Sequence, residues 1–287
     1  MRNVWGLIRA TYAAWNADRV PRLAAALAYY TIFSLAPLLI IAIAIAGLVL
    51  GQAAVQGELY GQIETWIGPD GAELIQTMIA GTQRAGSGLV ATAVGAITLV
   101  LGAIGVFGQL QDAFNAIWHV PTDGSGGWRG QLQDRLASAL MVLALGVFLL
   151  ISLLLSTVLA ALRAWTDGWL PGQPWLWDLA HHVISLFILI VLFAAMFKTV
   201  PDVRVQWSDV WIGAALTAML FTLGRSLIDL YLGFTAVASA YGAAGALIVI
   251  LVWVYYSTLI LLFGAEFTRI YTEQVGSRSS QRASATA

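Results

Sequence analysis

From Tyr241 to Ala265 the chain carries no Asp, Glu, Lys or Arg, and that run limits what it can fold into. As a helix rising about 1.5 Å per residue, it reaches about 37 Å. The hydrocarbon core of a bilayer is about 30 Å thick. The pattern recurs. Uncharged runs also separate Arg22 from Glu58, Arg84 from Asp112, Arg135 from Arg163, Asp178 from Lys198, and Asp209 from Arg225. No globular core hides that much apolar surface. Only 10% of the 287 residues are charged, against about 25% in soluble domains, so part of the solvent must be lipid. The fold class is all-α, a polytopic membrane protein. Six transmembrane helices are expected near 23–50, 88–116, 136–162, 179–198, 209–231 and 240–265.

Basic residues orient such a bundle, because Lys and Arg accumulate on the cytoplasmic side. Of fourteen Lys and Arg, six spans leave only Arg84, Arg163 and Arg225 on the side away from the termini. Both termini are therefore expected in the cytoplasm. Tryptophan follows the same layout. Trp118, Trp128, Trp165, Trp169, Trp175, Trp177, Trp207 and Trp211 fall where spans meet the headgroups, and Trp253 falls inside a span.

Around the spans, three accessory segments are expected. Val4, Ile8, Tyr12 and Trp15 share one face of an N-terminal interfacial helix, and Pro21 separates it from the first span. Residues 52–87 read as an acidic outer cap of short amphipathic helices, with Asp70 and Glu73 spaced as in a capping box. Residues 1–270 form a single membrane domain. Residues 271–287 read as a polar, disordered cytoplasmic tail. No cleavable signal peptide is expected, since the first apolar run starts after residue 22 and is too long for one.

Several function classes are excluded by inventory. The chain has no cysteine, which removes disulfides, thiolate metal sites and cysteine nucleophiles. Its net charge of −1 makes no electrostatic case for nucleic acid. Neither a nucleophile elbow, an HExxH motif, a phosphate loop nor a dinucleotide fingerprint occurs. His181 and His182 are adjacent and point in different directions, so no zinc site is expected. The chain reads as a non-enzyme without cofactor or metal.

Candidate functional residues lie in and beside the spans. Tyr29, Tyr30, Ser34 and Pro37 sit in the first span, where proline bends a helix; the bend is either a packed kink or the wall of a polar cavity. Gln109, Asp112 and Asn115 share a face at the end of the second span, either as a solvated helix end or as the mouth of a transport path. Gly88, Gly95 and Gly102 give that span a small-residue face suited to helix packing or to a homo-oligomer. Arg225 and Asp229 lie at i and i+4 near the outer end of the fifth span. Either Arg225 snorkels to the surface, or it recognises an anion such as the phosphate of a lipid headgroup. Glu266 is read as the boundary where the last span meets water, with Lys198 as a candidate ion-pair partner.

Four blocks carry a family likeness: "AAALAYYTIFSLAPLLIIAIAIAGL" (24–48), "GVFGQLQDAFNAIWHV" (105–120), "KTVPDVRVQWSDVWIGAALTAMLF" (198–221) and "YGAAGALIVILVWVYYSTLILLFGAEFT" (241–268). Together they resemble the YihY/BrkB family of bacterial inner-membrane proteins. The resemblance implies six spans with both termini inside. Members once carried a ribonuclease BN label regarded as a misassignment, and the residue inventory here also disfavours it. Links of some members to serum resistance, envelope integrity and lipid-precursor export imply a transporter or lipid flippase. The expected partners are membrane lipids and an anionic amphipathic substrate. The alternative is a non-transporting scaffold for envelope assembly, with the 52–87 cap as its interaction surface.

Overall fold

The computed structural model describes residues 4–32, 34, 60–61, 72–73, 76–77, 105–120, 174–203, 205–234 and 243–276. Among these, all regular structure is helical. The main elements are α1 (Val4–Ala17), α2 (helical over 20–32), α3 (105–117), α4 (Pro174–Thr199), α5 (Trp207–Phe234) and α6 (Ala243–Gln274). Three of them contain stretches long and apolar enough to cross a membrane: His182–Thr199, Trp207–Ile228 and Leu247–Gln274. These coincide with the last three expected spans. The span expected over 136–162, most of the outer cap, the greater part of the first two spans and the tail from 277 lie outside the described residues.

The helices form because lipid offers the backbone no hydrogen bonds, so each segment must satisfy its own. Hydroxyls obey the same rule. Thr31, Thr199, Thr217, Thr222, Thr268 and Thr272 each donate to the carbonyl four residues earlier, at 2.7–2.8 Å. The threonines can therefore sit in apolar helices without an unpaired O–H. Outward faces remain apolar. Leu179, Val183 and Phe187 recur every fourth residue on α4, and Met219, Leu223 and Leu227 do so on α5. That is the surface expected of helices solvated by acyl chains.

α5 packs between α4 and α6. Its contact with α6 is antiparallel and unusually close. A Cβ placed on Gly213 would lie 1.8 Å from Thr268 Oγ1, and one placed on Gly264 would lie 1.8 Å from Thr217 Oγ1. Each helix thus presents a glycine to the other's threonine, four residues apart and in reverse order. Farther along, Gly224 faces Tyr256 and Ile260 in the same way, with Tyr256 Cε1 2.6 Å from its would-be Cβ. Small residues allow this approach, which favours helix association where lipid supplies no hydrophobic drive.

An aromatic series ties the remaining helices to this pair. Phe114 of α3 lies 5.9 Å from Phe197 of α4, Phe193 lies 5.7 Å from Phe221 of α5, and Phe221 meets the edge of Trp253 of α6 at 6.2 Å. Phe114, Phe197, Ile117, Leu262 and Val20 are fully buried within one core. At the end shared by α4 and α5, Lys198 donates to the Val205 carbonyl and lies 5.9 Å above the Trp207 ring.

α1 packs against α6 through Leu7 and Ala10, which meet Phe267 and Ile270. Its Trp5, Ile8 and Tyr12 remain exposed on another face, as an interfacial helix requires. Trp15, expected on that exposed face, instead turns towards the core while stacking on Tyr12 at 5.9 Å. Pro21 sits in the first turn of α2, where its missing N–H leaves no hydrogen bond unmade.

The glycine–threonine contact yields a direct test. Gly213→Ala should destabilise the α5–α6 pair by about 1–3 kcal/mol, the usual cost of overpacking. Adding Thr268→Ala removes the clashing oxygen and should recover most of that loss. Thermal unfolding in detergent, followed by tryptophan fluorescence, measures both. Equal stability of the single variant and the parent would contradict the close approach.

Candidate functional site

Gly224 lets the Tyr256 ring lie against α5, and the next residue on α5 is Arg225. Arg225 is half-buried. It lines a shallow, closely packed recess, with no enclosed space large enough for a water molecule, together with Phe221, Ile228, Trp253, Tyr256, Ser257 and Ile260. The wall is therefore aromatic and aliphatic, with one guanidinium and two hydroxyls. On α5, Arg225 lies about 27 Å of helix rise from Trp207, near the far end of the apolar stretch Trp207–Ile228. Charge at that depth faces protein or a wet path, because a lipid-facing guanidinium is costly. A guanidinium can bind a phosphate or carboxylate through two parallel hydrogen bonds. Asp229 is helical within α5; its side chain, and so the expected pair with Arg225, lies outside the described residues.

Among the described residues, the other sequence candidates do not line this recess. Tyr29 and Tyr30 are exposed and meet edge to face at 5.8 Å, while Ser34 is buried. Tyr30 also approaches α3, its ring 3.8 Å from the Cβ that Gly105 lacks. Pro37 lies outside the described residues. Gln109 is half-buried and Asp112 exposed. Asn115 takes part in a clamp on the loop between α4 and α5. Its Nδ2 donates to Asp202 at 2.8 Å, its Oδ1 accepts the Asp202 N–H at 2.9 Å, and Gln111 donates to the same carboxylate at 3.0 Å. That pairing fixes the loop to the end of α3.

Glu266 differs most from its sequence reading. Helix α6 does not end there but continues to Gln274, and Glu266 is wholly buried, with 0% of its surface exposed. It is not a boundary with water. Nor does it pair with Lys198, whose amine is engaged with the Val205 carbonyl. Its cation is Arg269, one helical turn on, which donates from Nη2 at 2.8 Å and from Nε at 3.2 Å, both to Oε2. The same Nη2 reaches Asp18 at 3.4 Å, and Arg269 Nη1 lies 3.7 Å from Glu273. Asp18 in turn meets His119 Nε2 at 3.0 and 3.1 Å. Asp18, His119 and Arg269 escaped the sequence reading as site residues. The i, i+3 spacing of Glu266 and Arg269 was a usable signal; the long-range partners left none.

The backbone beside this cluster is unusual. Arg19 and His119 both have φ of 51°, a region that non-glycine residues seldom adopt. At His119 it closes α3, with the Val120 N–H reaching back five residues to the Asn115 carbonyl, a bond typical of a glycine-ended helix. Histidine there sacrifices some backbone freedom but brings an imidazole onto Asp18.

Removing Arg269 should expose how much the cluster depends on its cation. Arg269→Met leaves the buried Asp18–Glu266 carboxyl pair without its cation, a change worth about 3–5 kcal/mol. The double variant Arg269→Met/Glu266→Gln should be clearly more stable than the single. Unfolding midpoints in lipid nanodiscs give the comparison, and a double variant no better than the single would argue against the buried pair.

Among the described residues, no cluster of three or more His, Asp or Glu is arranged to hold a metal ion. Comparisons with known proteins give membrane proteins. A UPF0761 membrane protein of Alteromonas mediterranea is 26% identical over 93% of this chain and 87% of its own length. One from Pseudoalteromonas translucida is 29% identical over 88% of this chain and 81% of its own. A third, from Janthinobacterium, is 28% identical over 88% of this chain, which spans only 56% of that relative's length. Several other relatives are likewise matched over little more than half their length. No solved structure matches. Residues 11–287 match the family described as Virulence factor BrkB, and with helices apolar enough to cross a membrane, the chain belongs to that family of membrane proteins.

Proposed function

We propose that this chain is an inner-membrane transporter or flippase for an anionic amphipathic substrate, a lipid or lipid-linked molecule, with both termini in the cytoplasm. The observation that carries this reading is the Arg225 recess. It sets a guanidinium into an aromatic wall between two apolar helices, close to one end of a membrane-crossing stretch. Such a wall suits acyl or isoprenoid carbon, and the guanidinium suits a phosphate or carboxylate headgroup. The distribution of Lys and Arg over the loops supports the orientation. Envelope integrity is the physiological role in keeping with such a substrate.

The test is translocation of a headgroup-labelled fluorescent anionic phospholipid in liposomes holding the purified protein. Arg225→Ala removes a charged hydrogen bond of about 1.5–3 kcal/mol and should slow translocation about tenfold or more. Arg225→Lys keeps the charge but loses the planar fork, and should fall between. If the parent moves lipid no faster than empty liposomes, transport of this class is wrong; an unaffected Arg225→Ala would remove the recess from the path.

A further inference from the structure

Glu266 has one carboxylate oxygen in a position that an ionised group tolerates poorly. Both Arg269 donors go to Oε2. Oε1 is buried and accepts no hydrogen bond. A desolvated carboxylate oxygen without a donor carries a penalty of about 1–3 kcal/mol or more. Meanwhile the Asp18 carboxyl sits beside the Glu266 carboxyl, because both accept from the same Arg269 Nη2, Asp18 at 3.4 Å and Glu266 at 2.8 Å. Two ionised carboxylates only accept, so they cannot bond each other. One proton between them resolves both problems, because a protonated Glu266 gains an O–H to donate and Asp18 is there to accept it.

Among the described residues, the charges facing this pair come from three places. The turn between α1 and α2 brings Asp18, α3 brings His119, and α6 brings Glu266, Arg269 and Glu273. Arg9 on α1 is exposed, as are Arg19 and Arg22 beside the turn. On α4, Lys198 is held by Val205. On α5, Asp209 packs against Gly276, beyond the end of α6. Counting the cluster itself, three carboxylates meet one guanidinium when His119 is neutral. It therefore lacks positive charge in a place where lost solvation makes charge imbalance expensive. His119 has 59% of its side chain exposed, so it links solvent to Asp18, and Asp18 links to Glu266.

We propose that Asp18 and Glu266 form a proton-binding site, with His119 as its contact with water and Arg269 as its fixed counter-charge. The proton bridges the α1–α2 turn to α6, and the imidazole adds α3 to the same junction. The two residues with positive φ flank the bridge, which explains why the backbone is held in that conformation there. Binding of the proton is separate from any substrate movement through the Arg225 recess.

Infrared spectroscopy of the protein in nanodiscs tests this directly, because a protonated carboxyl has a C=O stretch distinct from that of a carboxylate. An ordinary glutamate, with a pKa of about 4.3, is ionised at pH 7. At about pH 7 the parent should therefore show a protonated-carboxyl band that shifts when glutamate is 13C-labelled at its side-chain carboxyl. The band should vanish in Glu266→Gln and move in frequency in Asp18→Asn, which changes its hydrogen-bond acceptor. Raising the pH should remove it and speed amide hydrogen exchange at residues 18–20 and 118–120 by more than the base catalysis that accelerates every amide. The labelled parent needs no substitution, so a variant that fails to fold does not blunt the test. Absence of any glutamate-sensitive band between about pH 7 and pH 5 would overturn the proposal and leave an ion pair that only stabilises the fold. A band that persists in folded Glu266→Gln would overturn it as well.

Discussion

Everything described here rests on how closely α5 and α6 approach. In water, two amphipathic helices are driven together by burying apolar surface. In lipid that drive is absent, and contact between backbones takes its place. Gly213 against Thr268 and Thr217 against Gly264 supply that contact in both directions. The threonine hydroxyls, already spent on their own helix carbonyls, present an edge that fits a glycine and leaves no polar group unpaired. This arrangement fixes register. Once Gly213 faces Thr268, Gly224 must face Tyr256, so Arg225 falls at the aromatic recess. Glu266, inside the α6 segment that supplies Gly264 and Thr268, is carried into the buried junction with α1.

The recess and the ionic cluster therefore occupy opposite ends of one helix pair. They differ in the physics that governs them. The recess has a single cationic side chain on an apolar wall, which is the composition expected for holding an anion with a hydrocarbon tail. The cluster has an excess of carboxylates around one guanidinium, with a partly exposed imidazole at its edge. That composition favours a small cation.

How much of this was legible in the sequence follows from the range of each interaction. The last three spans were readable because an uncharged run of sufficient length admits few alternatives. The chemistry of α1 was readable from its periodicity, although Trp15 left the exposed face to reach the core. The α5–α6 lock was partly written in the sequence: Gly213-Ala-x-x-Thr217 and Gly264-Ala-x-x-Thr268 repeat one spacing on two helices. The glycines that stand out in the second span, Gly88, Gly95 and Gly102, lie outside the described residues. Arg225 was legible because a charge inside an apolar run stands out. The Asp18–Arg269 contact joins residues 251 positions apart, and no local pattern announces such a pair.

Glu266 shows why position along a hydrophobic run is a weak guide to solvent exposure. A charge after a long apolar segment invites the reading that the helix has reached water. Yet α6 continues to Gln274, and α1 lies across it, with Leu7 and Ala10 against Phe267 and Ile270. Helix α1 thus shields this part of α6 from solvent. It turns what would be a surface carboxylate into a buried one, and burial is what makes the missing donor at Oε1 matter. The N-terminal helix then does more than rest on the bilayer. By covering α6 and delivering Asp18 at its own end, it creates the environment in which a carboxyl pair has reason to hold a proton.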